Sequence, residues 1–167
     1  MKQKWLLLLP ILLVGVALDL ATKEWVLQHV QMGSQIPVIK GFFNLVHVHN
    51  RGAAFGLFAS WSLDFVRVFF VITTGIVLAV VGYLWWRLPP GQNLAALGYS
   101  LIMAGALGNL VDRVFRMGEV VDFLDFHWGR YHWPAFNVAD TLICLGAGFL
   151  VLVILREEKG VNVSDTA

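Results

Sequence analysis

Phe136-Asn137-Val138-Ala139-Asp140-Thr141-Leu142-Ile143-Cys144-Leu145-Gly146-Ala147-Gly148-Phe149-Leu150-Val151-Leu152-Val153-Ile154-Leu155 contains one charged residue, Asp140, at the mouth of a long apolar run. From Val138 to Leu155 the run approaches the roughly 20 apolar residues that a spanning helix needs. A carboxylate at membrane depth is costly, so it is usually retained because something uses it. Asp122, in Val120-Val121-Asp122-Phe123, is likewise set among apolar neighbours. The stretch predicts a membrane protein with a polar site at the edge of a span.

Three more segments are long and apolar enough to cross a bilayer: Trp5 to Ala21 across Asp19, Val68 to Trp86, and Leu94 to Leu110. The composition agrees, with 58% hydrophobic and 14% charged residues in 167 and a mean hydropathy of +0.72. The first segment, with Lys2 and Lys4 ahead of it, also resembles a cleavable leader. Against that, no small-residue cleavage site follows, and Asp19 and Lys23 fall where the cut would be. A net charge of +1 with no basic patch gives no nucleic-acid footprint. The single cysteine, Cys144, excludes an intrachain disulfide and any multi-cysteine metal site, and reads as a buried small hydrophobe.

The expected architecture is an all-α membrane protein: one integral domain, 1–167, of four transmembrane helices with a small extracytoplasmic β-hairpin and interfacial helix. Spans are expected at about 5–21, 68–86, 94–110 and 138–155, with extracytoplasmic segments 22–67 and 111–137. Residues 87–93 and both termini are expected on the cytoplasmic side, because Lys2, Lys4, Arg87, Arg156 and Lys159 lie on very short stretches there. Trp5, Trp25, Trp85, Trp86 and Trp133 flank helix ends at headgroup depth. Ile36 to His49 alternates around a break at Lys40-Gly41 and predicts a short hairpin, with Leu45, His47 and His49 on one face. Asn50 to Gly56 follows as a turn of small residues, and Trp61 to Arg67 as an interfacial lead-in to the second span.

Threading four antiparallel helices sorts the polar residues onto one membrane face. Asp19 and Lys23 lie one helical turn apart at the outer end of the first helix. Asn109, Asp112 and Arg113 end the third, Asn137, Asp140 and Thr141 begin the fourth, and Asp122 falls in the loop between them. Two carboxylates in one site cannot both ionise comfortably, so one keeps a proton and the other can activate water. The structural alternative pairs Asp122 with Arg113 or Arg116 and leaves Asp140 to cap its helix. A four-helix proton-coupled transporter using the same acids, or a membrane scaffold, is the competing function. Transport sites usually lie near the midplane. His29, His47, His49, His127 and His132 form no His-Glu-x-x-His; His47 and His49 could chelate a metal, but a solvated strand face is the expectation. No nucleophile elbow, phosphate loop or dinucleotide fingerprint is present. Gly105 and Gly108, with Ala104 and Ala106, read as a surface for close helix packing.

Five ordered blocks carry a family resemblance. Asp19-Leu-Ala-Thr-Lys23, Asn50-Arg-Gly52-Ala53-Ala54-Phe55, Gly105-Ala-Leu-Gly108-Asn109-Leu-Val-Asp112-Arg113, Val120-Val121-Asp122-Phe123 and Phe136-Asn137-Val138-Ala139-Asp140 resemble those of the lipoprotein signal peptidases (signal peptidase II), bacterial membrane aspartyl proteases. The resemblance implies cleavage of prolipoproteins on the amino side of a diacylglyceryl-cysteine, at the outer face of the cytoplasmic (inner) membrane. It implies Asp122 and Asp140 as catalytic dyad, with Asn50, Asn109, Arg113 and Asn137 around dyad and substrate. Asp19, Lys23 and Asp112 are implied as structural polar residues. No cofactor or metal is expected; the partners are the lipidated substrate and membrane lipids, and the chain is expected to be a monomer. The connector Val114-Phe115-Arg116-Met117 is a residue longer than the family pattern.

Overall fold

A computed structural model describes residues 2–52 and 62–164. Ala53, Ala54 and Phe55 of the second block, and Trp61 of the lead-in, lie outside the described residues. Helix α1 (Lys2–His29) is followed by β1 (Gln35–Ile39), β2 (Phe43–Asn50), α2 (Leu63–Arg87), α3 (Asn93–Phe115), β3 (Val120–Trp128), β4 (Tyr131–His132) and α4 (Val138–Ser164). All four helices contain a stretch long and apolar enough to cross a membrane.

Helix α3 is the centre of the bundle and packs against α1, α2 and α4. Small side chains make this possible. A Cβ on Gly146 would stand 2.5 Å from the Gly98 carbonyl oxygen, and one on Gly98 would stand 2.9 Å from the Gly146 carbonyl oxygen, so the α3 and α4 backbones nearly touch. A Cβ on Gly105 would collide with the Ala139 carbonyl. The expected small-residue surface serves the α3–α4 seam through Gly105 and the α1 side through Ala104 and Gly108, and dispersion at short range replaces the hydrophobic drive absent in lipid. Around it Leu6, Leu13, Ile72, Ile76, Val151 and Ile154 stay exposed, as lipid-facing positions should be. Cys144 is exposed on this surface too, which corrects the expectation of burial; an apolar bilayer solvates it as well as a core does.

At one end of the bundle, Lys4 Nζ donates to the Trp86 carbonyl at 2.7 Å and lies over the Trp85 ring. A cation at the C-terminal carbonyls of α2 complements its dipole. Helix α1 thus starts where α2 ends and α3 begins, which leaves the polar block ends together at the other end of the bundle.

The extramembrane part is larger than a hairpin. An antiparallel sheet in the order β1-β2-β3-β4 forms there, and it recruits the segment expected as a loop around Asp122. Leu45 pairs with Leu124 but Val48 with Asp122, so β2 carries an extra residue between them. This bulge corrects the expected alternation: Leu45, Val48 and Asn50 share the face of Asp122, and His47 and His49 lie on the other. Val121 and Phe123 on that second face pack on Val26 and Val30 of α1. The sheet is thereby anchored to the end of the bundle. The α1 helix itself runs past Ala21 to His29, because its buried charges are neutralised in pairs.

Candidate active site

Lys23 is fully buried, and its ammonium meets Asp19 Oδ2 at 2.7 Å, Asp112 Oδ2 at 2.9 Å and Asn109 Oδ1 at 2.9 Å. Three donors find three acceptors, which is what a desolvated lysine requires. Asp112 Oδ1 also accepts from Arg116 Nε at 3.0 Å, and Arg116 reaches Glu24 at 3.2 Å. The expected Asp19–Lys23 pair is therefore the core of a wider network.

That network aims the elements that carry Asp122 and Asp140. Asp19 Oδ1 accepts from the Ala139 backbone N–H at 2.8 Å, satisfying an orphan donor in the first turn of α4. A Cβ on Gly108 would stand 2.5 Å from Asp19 Oδ2, so the glycine admits the carboxylate. Asp112 Oδ2 accepts from Val121 N at 3.3 Å, fixing β3 one residue before Asp122.

Asn137 caps α4 reciprocally with Asp140. Asn137 Oδ1 accepts from Asp140 N at 3.0 Å, and Asp140 Oδ2 accepts from Asn137 N at 3.3 Å. This is a capping box, so Asp140 does cap its helix. Capping uses one oxygen; Asp140 Oδ1 accepts from Asn109 Nδ2 at 2.8 Å. Asn137 Nδ2 donates to Asp122 Oδ1 at 2.7 Å, and Asn50 Nδ2 donates to Asp122 Oδ2 at 2.9 Å. Asn137 thus touches both carboxyl groups. Asp122 pairs with neither Arg113 nor Arg116 by any ion pair among the described residues.

Asn50 is itself held by a turn. Its Oδ1 accepts from Gly52 N at 2.8 Å. Gly52 has φ +87°, and a Cβ there would run into the Phe70 ring, so glycine is needed on both counts. Arg113 lies over the same ring at 4.8 Å, and its charge acts on Asp140, Asp122 and Asp112. Among the described residues its buried Nε has no hydrogen-bond partner.

Asp122 is only 2% exposed. Burial pushes its carboxyl up to about 7, and the charge of Asp140 pushes the same way, against the donors Asn50 and Asn137. The structure thus brings together all the residues singled out from the sequence: Asp122, Asp140, Asn50, Asn109, Arg113 and Asn137, over Asp19, Lys23 and Asp112. Sequence reasoning missed Glu119, because a lone charge near a turn normally reads as solvated, and it set Arg116 against Asp122 where the structure pairs it with Asp112. His47 was expected on a solvated face; it is buried and bonded to the Val30 carbonyl at 2.7 Å.

Residues 11–156 match the model of the family described as signal peptidase (SPase) II. The chain belongs to the signal peptidase II family. A lipoprotein signal peptidase of Syntrophotalea carbinolica is 45% identical over 151 residues, 90% of this chain and 92% of the relative. One of Geobacter sulfurreducens is 43% identical over 159 residues, 95% of this chain and 98% of the relative. A solved bacterial membrane enzyme superposes with a TM-score of 0.79 at 33% identity, covering 90% of this chain and 88% of that one. The signal peptidase II resemblance and the multi-pass membrane fold expected with it are borne out.

Proposed function

We propose that this protein is an aspartic endopeptidase that removes signal peptides from diacylglyceryl-modified prolipoproteins, cutting on the amino side of the lipidated cysteine, with Asp122 and Asp140 as its dyad. The observation that carries the reading is the pair of buried carboxyl groups, from β3 and the first turn of α4, both bonded to Asn137. Because the Asp122 carboxyl is pushed up to about 7, Asp122 holds the shared proton. Asp140 then takes a proton from water as the oxygen attacks the scissile carbonyl carbon. Asp122 gives its proton to the carbonyl oxygen. On collapse of the tetrahedral species the C–N bond breaks, the proton on Asp140 passes to the leaving amine, and Asp122 recovers its own. Asn109 and Asn137 hold the carboxyl groups in place, Arg113 supplies positive potential, and Asn50 orients Asp122. Asp19, Lys23 and Asp112 act as structure.

Acyl chains in the bilayer would hold the scissile bond at headgroup depth, and a dyad at the helix ends meets it there. On this reading the site lies at the outer face of the cytoplasmic membrane and both termini in the cytoplasm, and the chain works as a monomer among lipids. Purified protein should cleave a diacylglyceryl-modified precursor roughly a hundredfold or more faster, in kcat/KM, than the same precursor with plain cysteine. Each buried methylene contributes about 0.8 kcal/mol, which a peptide alone lacks. Mass spectrometry of the products checks both the cut and the ratio; equal turnover of the two precursors would refute the reading.

The pH dependence has a definite sign. Asp122 must be protonated to act as acid, so kcat/KM should fall as pH rises through about 7. The value belongs to the coupled pair rather than to one residue. A pH–rate profile that keeps rising above neutrality would reverse the assignment of the proton.

A further inference from the structure

Glu119 closes a bond on each side of Asn50. Its Oε2 accepts from His49 Nδ1 at 2.7 Å and its Oε1 from Arg51 Nε at 2.8 Å. His49 and Arg51 flank Asn50 in the chain, and both side chains meet Glu119 rather than the Asp122 carboxyl. Between them, Asn50 Nδ2 reaches Asp122 at 2.9 Å. The two-armed contact therefore pins the backbone on both sides of the residue that touches the dyad. The stretch needs pinning, since β2 ends at Asn50 and a turn begins at once.

The clamp continues to α1. His47 Nδ1 lies 2.7 Å from the Val30 carbonyl oxygen, and His47 Nε2 lies 3.0 Å from His49 Nε2. The carbonyl and the carboxylate only accept, so both Nδ1 atoms donate. Arg51 brings a positive charge to Glu119 beside the His49 contact. Hydrogen bonds from His49 and Arg51 outweigh partial burial and hold the Glu119 carboxyl below the usual range.

We propose that Glu119 is a positioning residue for the reaction, which clamps His49 and Arg51 so that Asn50 stays bonded to the Asp122 carboxyl. The inference rests on the dyad reading above. Its physical consequence is specific. The Asn50 donor favours the charged form of Asp122, so loosening it lets Asp122 keep its proton to higher pH. The other charges acting on Asp122 come from Asp140 on α4, Arg113 on α3 and Lys23 on α1, and the clamp leaves them in place.

The test is a set of pH–rate profiles with melting temperatures, on purified protein and a diacylglyceryl-modified precursor. Glu119→Ala should lower kcat about tenfold or more, as a misplaced donor at a reacting group does, and move the alkaline limb upward. Glu119→Gln should retain most of the rate and the wild-type limb. Its amide oxygen still accepts from Arg51, and its amide N–H can donate to the Nδ1 of a neutral His49. In an Asn50→Ala background, Glu119→Ala should add almost nothing, because the two act through one contact. A purely structural Glu119 would lower the melting temperature and leave the limb unmoved, which overturns the inference. So would a Glu119→Gln protein as impaired as Glu119→Ala, or full additivity with Asn50→Ala. Should Glu119→Ala fail to fold, Arg51→Ala removes one arm from a side chain 63% exposed and must move the limb the same way. An unmoved limb there is equally fatal. Failure of the dyad reading has a different signature, namely no cleavage by the wild-type protein.

Discussion

Asp122→Asn and Asp140→Asn should each lower cleavage of a diacylglyceryl-modified precursor by roughly a thousandfold or more, with the fold retained. Each change removes one of the two proton-handling groups and replaces it by a near-isostere. Asn at 140 keeps an oxygen for the capping contact with Asn137 N, so α4 still starts where it should, and gives up only the bond from Asn109 Nδ2. Asn at 122 keeps the amide oxygen as acceptor for Asn50 or Asn137 but has no acidic proton to give. The stability of Asp122→Asn carries its own sign. A carboxyl whose folded value is raised contributes stability that is lost as pH rises through that value. Above about pH 7 the wild-type protein must hold a buried charge that the asparagine variant lacks. Asp122→Asn should therefore melt at or above the wild-type temperature at pH 8, while being inactive. Near wild-type cleavage by either variant would show that the aspartyl mechanism is wrong.

Asp19→Ala should behave in the opposite way, losing stability first and activity as a result. Asp19 is fully buried and meets Lys23 at 2.7 Å while accepting from Ala139 N at 2.8 Å. Its removal leaves Lys23 with two acceptors in place of three and orphans a first-turn donor of α4. Breaking such a buried network typically costs about 3–5 kcal/mol. The same removal releases the helix end that carries Asp140, so residual activity should track the folded fraction in detergent. Melting temperature and cleavage rate, measured on Asp19→Ala beside Asp140→Asn, separate support from chemistry. A fully stable but inactive Asp19→Ala protein would place Asp19 in the reaction.

The helices and the two apolar-set acids are legible because a bilayer imposes a simple rule: long apolar runs span, and an acid at their edge stands out. Asp140 and its capping partner Asn137 are three residues apart, so their relation is local. Asp122 was legible as an acid in an apolar setting, yet its strand was not. β3 exists by pairing with β2, some seventy residues earlier, and such pairing is set by tertiary contact rather than by local pattern. The bulge between Leu45 and Val48 is invisible for the same reason, and it decides which residues face Asp122. Glu119 carries no signal at all until that register places it between His49 and Arg51. Of the connector Val114-Phe115-Arg116-Met117, the first two residues end α3, and the chain then turns tightly at Met117 (φ 54°) and Gly118 (φ 90°), with Gly118 close against Arg67.

In the proposed reaction, water activated between Asp122 and Asp140 attacks the scissile bond directly. With enzyme in excess over a diacylglyceryl-modified precursor in oxygen-18 water, the first turnover reports the source of the new oxygen. Direct attack by water puts one heavy oxygen into the carboxylate at the new end of the released signal peptide. An aspartate acting as nucleophile would pass through an acyl-aspartyl anhydride and could deliver its own light oxygen in that first turnover. One heavy oxygen in the carboxylate of every first-turnover product is the expected result; a first-turnover carboxylate with both oxygens light would contradict direct attack by water.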